Sequence, residues 1–180
     1  MKKILLSFFL VLVLMTGCNG LLNTPVKKVE LLLDKYRKID DDVLTDLKDT
    51  LADDTVLSSE QKDKYQKLLE KQYQDMMYTI KNDAIDGKTA TVEVEIEVYN
   101  YNKAISESEN YLLNNQSEFN DNDGNIDTIK YNDYKLGEIA NMNDRIKYTI
   151  NFTLSKVDEE WIVDDLTDIE RQKIHGLYAN

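Results

Sequence analysis

The sequence predicts an α+β domain in which N-terminal helices pack on an antiparallel sheet, with a helical insertion between the long strands. Apolar residues recur at helical spacing from residue 26 to residue 76. Two later segments, 90–98 and 146–154, alternate apolar and polar side chains, as half-buried strands do. The predicted strands form hairpins and do not alternate with helices, which favours α+β over a parallel α/β sheet.

Residues 1–17 have the pattern of a signal peptide. Two lysines precede an apolar run, Ile4–Met15, which is shorter than the ~20 residues that a membrane-spanning helix needs. Thr16 and Gly17 are small enough to enter a peptidase site, and Cys18 follows directly as the only cysteine of the chain. A single cysteine also excludes an internal disulfide.

The segment Leu14–Cys18 resembles the signal of bacterial lipoproteins, in which a leucine and two small residues precede the cysteine. Leu14 lies one place too early, and Met15, which is similar in size and apolarity, holds the usual leucine position. The resemblance implies that Cys18 becomes the first mature residue, carries a diacylglyceryl thioether with fatty acyl chains such as palmitate, and holds the protein on the extracytoplasmic face of the cell membrane. Two or more acyl chains anchor a protein stably. The alternative is a buried structural cysteine in an ordinary signal peptide or anchor helix.

The mature chain then consists of a lipidated cysteine with a short tether, residues 18–24, and a single domain, residues 25–180. The segment 19–24 spans about 20 Å at full stretch, so the domain must sit near the membrane. The 163 residues that follow the signal peptide are enough for one domain with a sizeable core.

The charge of the chain disfavours nucleic acid as a partner. The formal charge is −12, and without Lys2 and Lys3 it is near −14, with 20 basic against 34 acidic residues. Nucleic-acid binding needs a basic footprint, which this balance lacks. The acidity is typical of a soluble domain. An anionic bilayer would repel such a domain, so the lipid must hold it at the membrane.

Three helices are predicted before the first strand. Thr24-Pro25 supplies a cap and a first-turn proline, Asp40 to Asp42 places negative charge where a second helix begins, and Ser58-x-x-Gln61 reads as a capping box. The apolar stripes that follow these starts contain Val26, Val29, Leu32, Leu33, Tyr36 and Ile39; Val43, Leu44, Leu47 and Leu51; and Tyr65, Leu68, Leu69, Tyr73 and Met76.

The strands are predicted as two hairpins. Segment 77–85 turns at Asp86-Gly87 into segment 90–98, whose valines and isoleucine face the core. Segment 146–154 turns at 156–160 into a strand at 161–163. Between the hairpins, residues 102–144 form a helical insertion with an Asn/Asp-rich break. Thr167-x-x-Glu170 caps a terminal helix that Gly176 ends.

Three segments resemble the nuclear-transport-factor-two-like, or cystatin-like, α+β cone: "TPVKKVELLLDKYRKID", "IDGKTATVEVEIEV" and "YTINFTLSKVDEEWIVDD". The resemblance implies a curved sheet that wraps a helix and leaves a pocket. Some members of this group are isomerases or dehydratases, and many bind ligands or partners. The helical insertion is longer than the simplest members need.

His175 is the only histidine, and therefore the only side chain whose ordinary pKa lies near neutrality. Its place in the last turn before Gly176 predicts a structural or surface histidine near water, with a catalytic base as the alternative. No cluster of histidines and cysteines exists in the sequence, so neither a zinc or copper site nor any other cofactor is expected.

Acidic residues suggest two further sites. Glu93, Glu95 and Glu97 line one strand face about 6.6–7 Å apart. They are expected to form either a cation site or a solvated face opposed by Arg145 and Lys147 on the other long strand.

The second acidic segment is "FNDNDGNIDTIK", which partly matches a calcium-binding loop. Asp121, Asp123 and Ile126 fall at ligand positions, whereas Phe119 and Lys130 replace two key ligands. A weak calcium site at Asp121–Asp123 and a plain exposed loop both stay open.

The eleven tyrosines are numerous for this length. They are expected either to line a ligand pocket or partner patch, or simply to complete the core. Those near the sheet edge and insertion are Tyr78, Tyr99, Tyr101, Tyr111, Tyr131 and Tyr134.

Two functional hypotheses follow. The first is a membrane-anchored, non-enzymatic binding or accessory module of the cell envelope, with a protein or small molecule as partner. The second is a small-molecule-binding or isomerase-like enzyme that uses a pocket in the cone. Such an enzyme would need an inward carboxylate beside Tyr or His.

Overall fold

The computed structural model describes residues 22–179, so the predicted signal peptide and Cys18 lie outside the described residues. The helices are α1 (Pro25–Lys38), α2 (Asp41–Ala52), α3 (Ser59–Gln74), α4 (Tyr101–Asn114), α5 (Thr128–Asn141) and α6 (Asp168–His175). The strands are β1 (Met77–Asp86), β2 (Thr89–Tyr99), β3 (Arg145–Val157) and β4 (Glu160–Val163). A short 3₁₀ helix, Gln116–Phe119, follows α4.

Helices α1, α2, α3 and α6 begin at the residues that the sequence predicts. The Thr24 hydroxyl accepts a hydrogen bond from the backbone N–H of Lys27, and Asp40 caps α2 in the same way. The two predicted capping boxes, Ser58–Gln61 and Thr167–Glu170, each make both of their reciprocal bonds. These bonds satisfy N–H groups that the first turn of a helix leaves unpaired.

The four strands form one open antiparallel sheet in the order β1-β2-β3-β4. Val92 lies opposite Phe152, and Val94 lies opposite Ile150. Strand β1 pairs with β2 along its whole length, with an irregularity at Lys81.

One face of the sheet forms the main core under α1, α3 and α6. The predicted inward residues of β2 are fully buried, and the β3 partners of Val92, Val94 and Ile96 are 3% exposed or less. Ile146, opposite Val98, is partly buried. The glutamates of β2 lie on the opposite face, as predicted. The buried residues of the two strands are Val92, Val94, Ile96, Val98, Tyr148, Ile150, Phe152 and Leu154.

The predicted helical insertion is α4 and α5, joined by the Asn/Asp-rich loop. It leaves β2 and rejoins β3 at one end of the sheet, where the Asn100 N–H donates to the Asp144 carbonyl. The insertion has a second apolar cluster of its own around Tyr101 and Leu136. Helix α5 packs on α3, and the Tyr101 hydroxyl donates to the Leu68 carbonyl at 3.0 Å.

The α+β prediction is confirmed, with helices first and an antiparallel sheet after them. The more specific cystatin-like cone is not confirmed. No helix in the described part of the chain is long and apolar enough to cross a membrane.

Candidate functional site

A buried amide fastens α6 to α3 and to the end of β2. The Gln72 side chain is fully buried, and its Nε2 donates to the carbonyls of Tyr99 at 2.8 Å and His175 at 2.9 Å. Its Oε1 accepts the Tyr99 N–H at 2.8 Å. Gly176 ends α6 with φ 71°, as predicted, and a Cβ there would collide with the Tyr99 carbonyl and the Gln72 amide. The position therefore needs glycine for its backbone angle and for space.

A cavity of about 260 Å³ lies between α1, α2, α3 and α6. Aliphatic side chains form part of its wall, and the rest is aromatic or polar. The lining residues are Tyr36, Asp46, Leu47, Thr50, Leu51, Tyr65, Leu69, Tyr73, Arg171, His175 and Leu177.

His175 lines this cavity and is half-buried, so its imidazole is more enclosed than the predicted histidine near water. Its Nε2 lies 2.8 Å from the Tyr73 hydroxyl, and Tyr73 is only 2% exposed. Burial, with a smaller effect from the nearby Arg171 cation, lowers the pKa of His175 from 6.5 to about 4, while Asp46 acts weakly in the opposite direction. Burial lowers the pKa of an imidazole because the charged form loses its hydration.

The Tyr73–His175 hydrogen bond joins two uncharged groups. Burial raises the pKa of the Tyr73 phenol well above its usual value, so the hydroxyl keeps its proton. The Tyr73 O–H can then donate to Nε2 of a neutral ring that carries its proton on Nδ1, or accept from Nε2–H of the other tautomer. At neutral pH the cavity thus contains an uncharged imidazole.

Charged groups stand at the mouth of the cavity. Arg171 Nη1 lies 3.5 Å from Asp46 Oδ2, and both side chains are substantially exposed. Deeper inside, the Tyr36 and Tyr65 hydroxyls bond to no other residue among 22–179, and burial raises the pKa of Tyr65 to about 12. Both hydroxyls remain protonated at neutral pH and can donate to a bound molecule.

The dimensions and chemistry of the cavity suit a small molecule. Its volume of 260 Å³ is that of about eight or nine waters at ~30 Å³ each. The leucines offer an apolar contact, and the tyrosine hydroxyls offer hydrogen bonds. This cavity lies between helices and not between a helix and the sheet, where the cone resemblance would put a pocket.

The six singled-out tyrosines do not form one patch. Tyr99 and Tyr101 stack at 6.2 Å at the end of β2, and Tyr78 lies apart from them near Asp34 on α1. The insertion holds a separate aromatic cluster, with contacts between ring centroids of 5.1 to 6.2 Å. Its members are Tyr111, Phe119, Tyr131 and Tyr134.

Two of the three strand glutamates, Glu95 and Glu97, are paired with lysines. Lys147 Nζ lies 3.1 Å from Glu95 and 3.8 Å from Glu97, and hydrogen bonds from Lys147 and then Lys81 lower the pKa of Glu95. The predicted pairing with Lys147 is therefore confirmed. Arg145 differs from the prediction, because its guanidinium stacks on the Tyr99 ring at 4.5 Å and donates to the backbone.

The loop that resembles a calcium-binding loop uses its carboxylates to bond its own backbone. Asp121 Oδ1 accepts the N–H groups of Asp123 and Asn125 at 2.9 Å, and Asp127 caps α5. Phe119 packs into the aromatic cluster. Among residues 22–179 no three His, Cys, Asp or Glu side chains are grouped so that they could hold a metal ion. Calcium binding by Asp121–Asp123 stays untested.

Sequence analysis missed the partners of His175. Arg171 and His175 are four residues apart, so they share one face of a helix, and this spacing could have suggested a joint role. Nothing in the sequence connects them with Asp46 or Tyr73, which lie more than 100 positions away.

Comparisons with known proteins identify no family for this chain. No protein family and no curated protein matches the chain. The chain is similar to the crystal structure of a "putative lipoprotein (ycdA)" from Bacillus subtilis, with 16% identity and a TM-score of 0.41. The match covers 83% of this chain and 46% of the other, so the present chain matches less than half of that protein's length.

Proposed function

We propose that the chain is a lipid-anchored protein of the extracytoplasmic membrane face and that its α+β domain is a non-enzymatic binding module. The observation that carries this proposal is the apolar run Ile4–Met15, which ends at Thr16-Gly17-Cys18, only six residues before the folded domain starts at Pro25. The lipid would attach the protein to the membrane, and the domain would present its binding surfaces beside it. A protein of the envelope or a small molecule is the proposed ligand.

Replacing the anchoring cysteine tests the proposal. Cys18→Ser should abolish incorporation of labelled fatty acid and prevent lipoprotein-type cleavage, because a serine hydroxyl cannot form the thioether. Met15→Leu is the matched control, since it restores the usual leucine and should keep the label. Persistent labelling of Cys18→Ser would refute the anchor.

The state of His175 supports binding over catalysis. A general base that works near neutral pH needs a pKa close to that pH. Burial holds the pKa of His175 near 4 instead, so the imidazole is a weak base and an uncharged hydrogen-bonding group. The cavity beside it resembles a small ligand site in its mixture of apolar wall and few polar groups.

An enzyme remains the second candidate, because the cavity brings a carboxylate, an arginine, a histidine and several tyrosines together. If it were a catalytic site, His175→Gln would abolish turnover of whichever substrate a screen finds, while Glu95→Gln on the sheet would not. A ligand that binds wild type without being converted, and shifts the Tyr73 and His175 resonances, supports the binding module.

A further inference from the structure

The tether is fastened to one end of the sheet. Asn23 Nδ2 donates to the Glu159 carbonyl at 2.8 Å, and Asn23 Oδ1 accepts the Trp161 N–H at 2.9 Å. These bonds join the residue just before α1 to the β3–β4 turn. The chain therefore leaves the domain toward Cys18 at this end.

Both hairpin turns lie at the same end. The Lys156 N–H donates to the Lys88 carbonyl at 2.8 Å, and Thr89 pairs with Ser155. The β1–β2 turn and the β3–β4 turn are thus neighbours beside Asn23. The helical insertion is attached to the opposite end of the same strands.

Four large apolar side chains are exposed here, and we name them the anchor-end surface: Leu22, Ile85, Val157 and Ile162. Each is 49–57% exposed. Val157 and Ile162 are diagonal neighbours on the outer face, because Ser155 pairs with Ile162 and Val157 with Glu160. Ile85 lies near the end of the edge strand β1 and pairs with Ala90.

Two of the carboxylates around the anchor-end surface are paired. Glu159 lies 2.8 Å from Lys156, and Glu160 lies 3.0 Å from Lys28. The hydrogen bond from Lys156 lowers the pKa of Glu159. Pairing of this kind reduces the repulsion that an acidic domain meets at a bilayer surface.

We propose that the anchor-end surface sits in the head-group region of the lipid bilayer, with the helical insertion pointing away from the membrane. This inference rests on the proposed lipid anchor. The five residue-to-residue steps from Cys18 to Asn23 reach at most ~17 Å. Strand β3 alone separates the two ends of the sheet by about 40 Å, so the tether is too short to let the insertion end rest on the bilayer.

Cysteine labelling of the full lipidated protein tests this orientation. A cysteine introduced elsewhere would be the only free thiol, because lipid blocks the sulfur of Cys18. Val157→Cys and the control Asn143→Cys would each carry an environment-sensitive fluorophore. Both positions are exposed; Val157 is the last residue of β3, and Asn143 lies just before its first residue. The vesicles would be phosphatidylcholine, with and without lipids that bear a short-range quencher.

We expect blue-shifted emission and strong quenching by the modified lipid at position 157, and neither at position 143. Equal quenching at both positions would overturn the orientation. Absence of quenching at position 157, in protein that floats with the vesicles, would also overturn the orientation, and either result would leave the proposed anchor intact. A blue shift at 157 without lipid quenching would point to a second protein copy on this surface and would also overturn it. Failure to float would refute the anchor itself, and the inference with it.

Discussion

Tyr73 and His175 are separated by 102 positions in the chain and share a hydrogen bond of 2.8 Å. Burial of this pair, and not the hydrogen bond itself, makes the histidine sensitive to acid in a particular direction. Because its folded pKa, about 4, lies below the ordinary value of 6.5, the unfolded chain binds the proton first. The stabilisation is full above pH 6.5 and is lost as the pH falls toward 4.

Acidification from pH 8 to pH 5.5 should therefore lower the unfolding free energy of wild type by about 1 kcal/mol more than that of His175→Gln. Urea melts of both proteins at the two pH values measure this difference, and carboxylates that titrate in both proteins cancel. A wild type that gains stability on acidification, relative to the variant, would instead indicate a histidine at a solvated helix end.

Gln72 acts at the scale of elements, since one side chain bonds α3 to β2 and α6. Gln72→Met keeps the volume but leaves the Tyr99 backbone and the His175 carbonyl without these partners. Three backbone groups lose this partner, and each buried polar group left unpaired costs about 1–3 kcal/mol. The variant should therefore lose at least about 3 kcal/mol of unfolding free energy in denaturant melts. Gln172→Met, at an exposed position of α6, is the matched control and should change stability by less than about 0.5 kcal/mol. Similar losses in both variants would show that Gln72 does not fasten the helix.

The alternation of strand β2 allows a second test at this scale. Val94 is fully buried opposite Ile150, and Val94→Asp would place a carboxylate in the core without a partner. It should cost several kcal/mol or prevent folding. Glu95→Gln, one position along on the outer face, should leave the denaturant midpoint nearly unchanged because exposed ion pairs contribute little. Equal shifts of the two midpoints would contradict the register.

At the scale of the whole molecule, the excess of 14 acidic charges in residues 18–180 should oppose compactness. Raising the ionic strength from about 0.01 M to 0.15 M shortens the Debye length from ~30 Å to ~8 Å and screens this repulsion. The melting temperature of the Cys18→Ser protein should rise across this range, measured with two different salts at equal ionic strength. A fall with both salts would mean that the surface ion pairs stabilise the fold more than the net charge destabilises it.

The amino-acid sequence by itself determined the class of the fold, the starts of its helices and the inward face of its long strands. These features depend on local chemistry: Thr24, Ser58 and Thr167 cap backbone groups within three residues, and a period of two assigns every side chain of β2 to a face. The pattern that predicts lipidation at Cys18 is likewise local, so this prediction does not depend on the fold.

Only the tertiary structure decided the surroundings of His175, the separation of the tyrosines and the position of Arg145. The cavity forms where α6 meets α2 and α3. It brings His175 to Tyr73, 102 positions earlier in the chain, and Arg171 to Asp46, 125 positions earlier. Helical periodicity predicts which face of α6 is apolar, but the burial of an imidazole depends on the helices that pack over it. Desolvation, and hence the pKa of His175, follows from that packing alone.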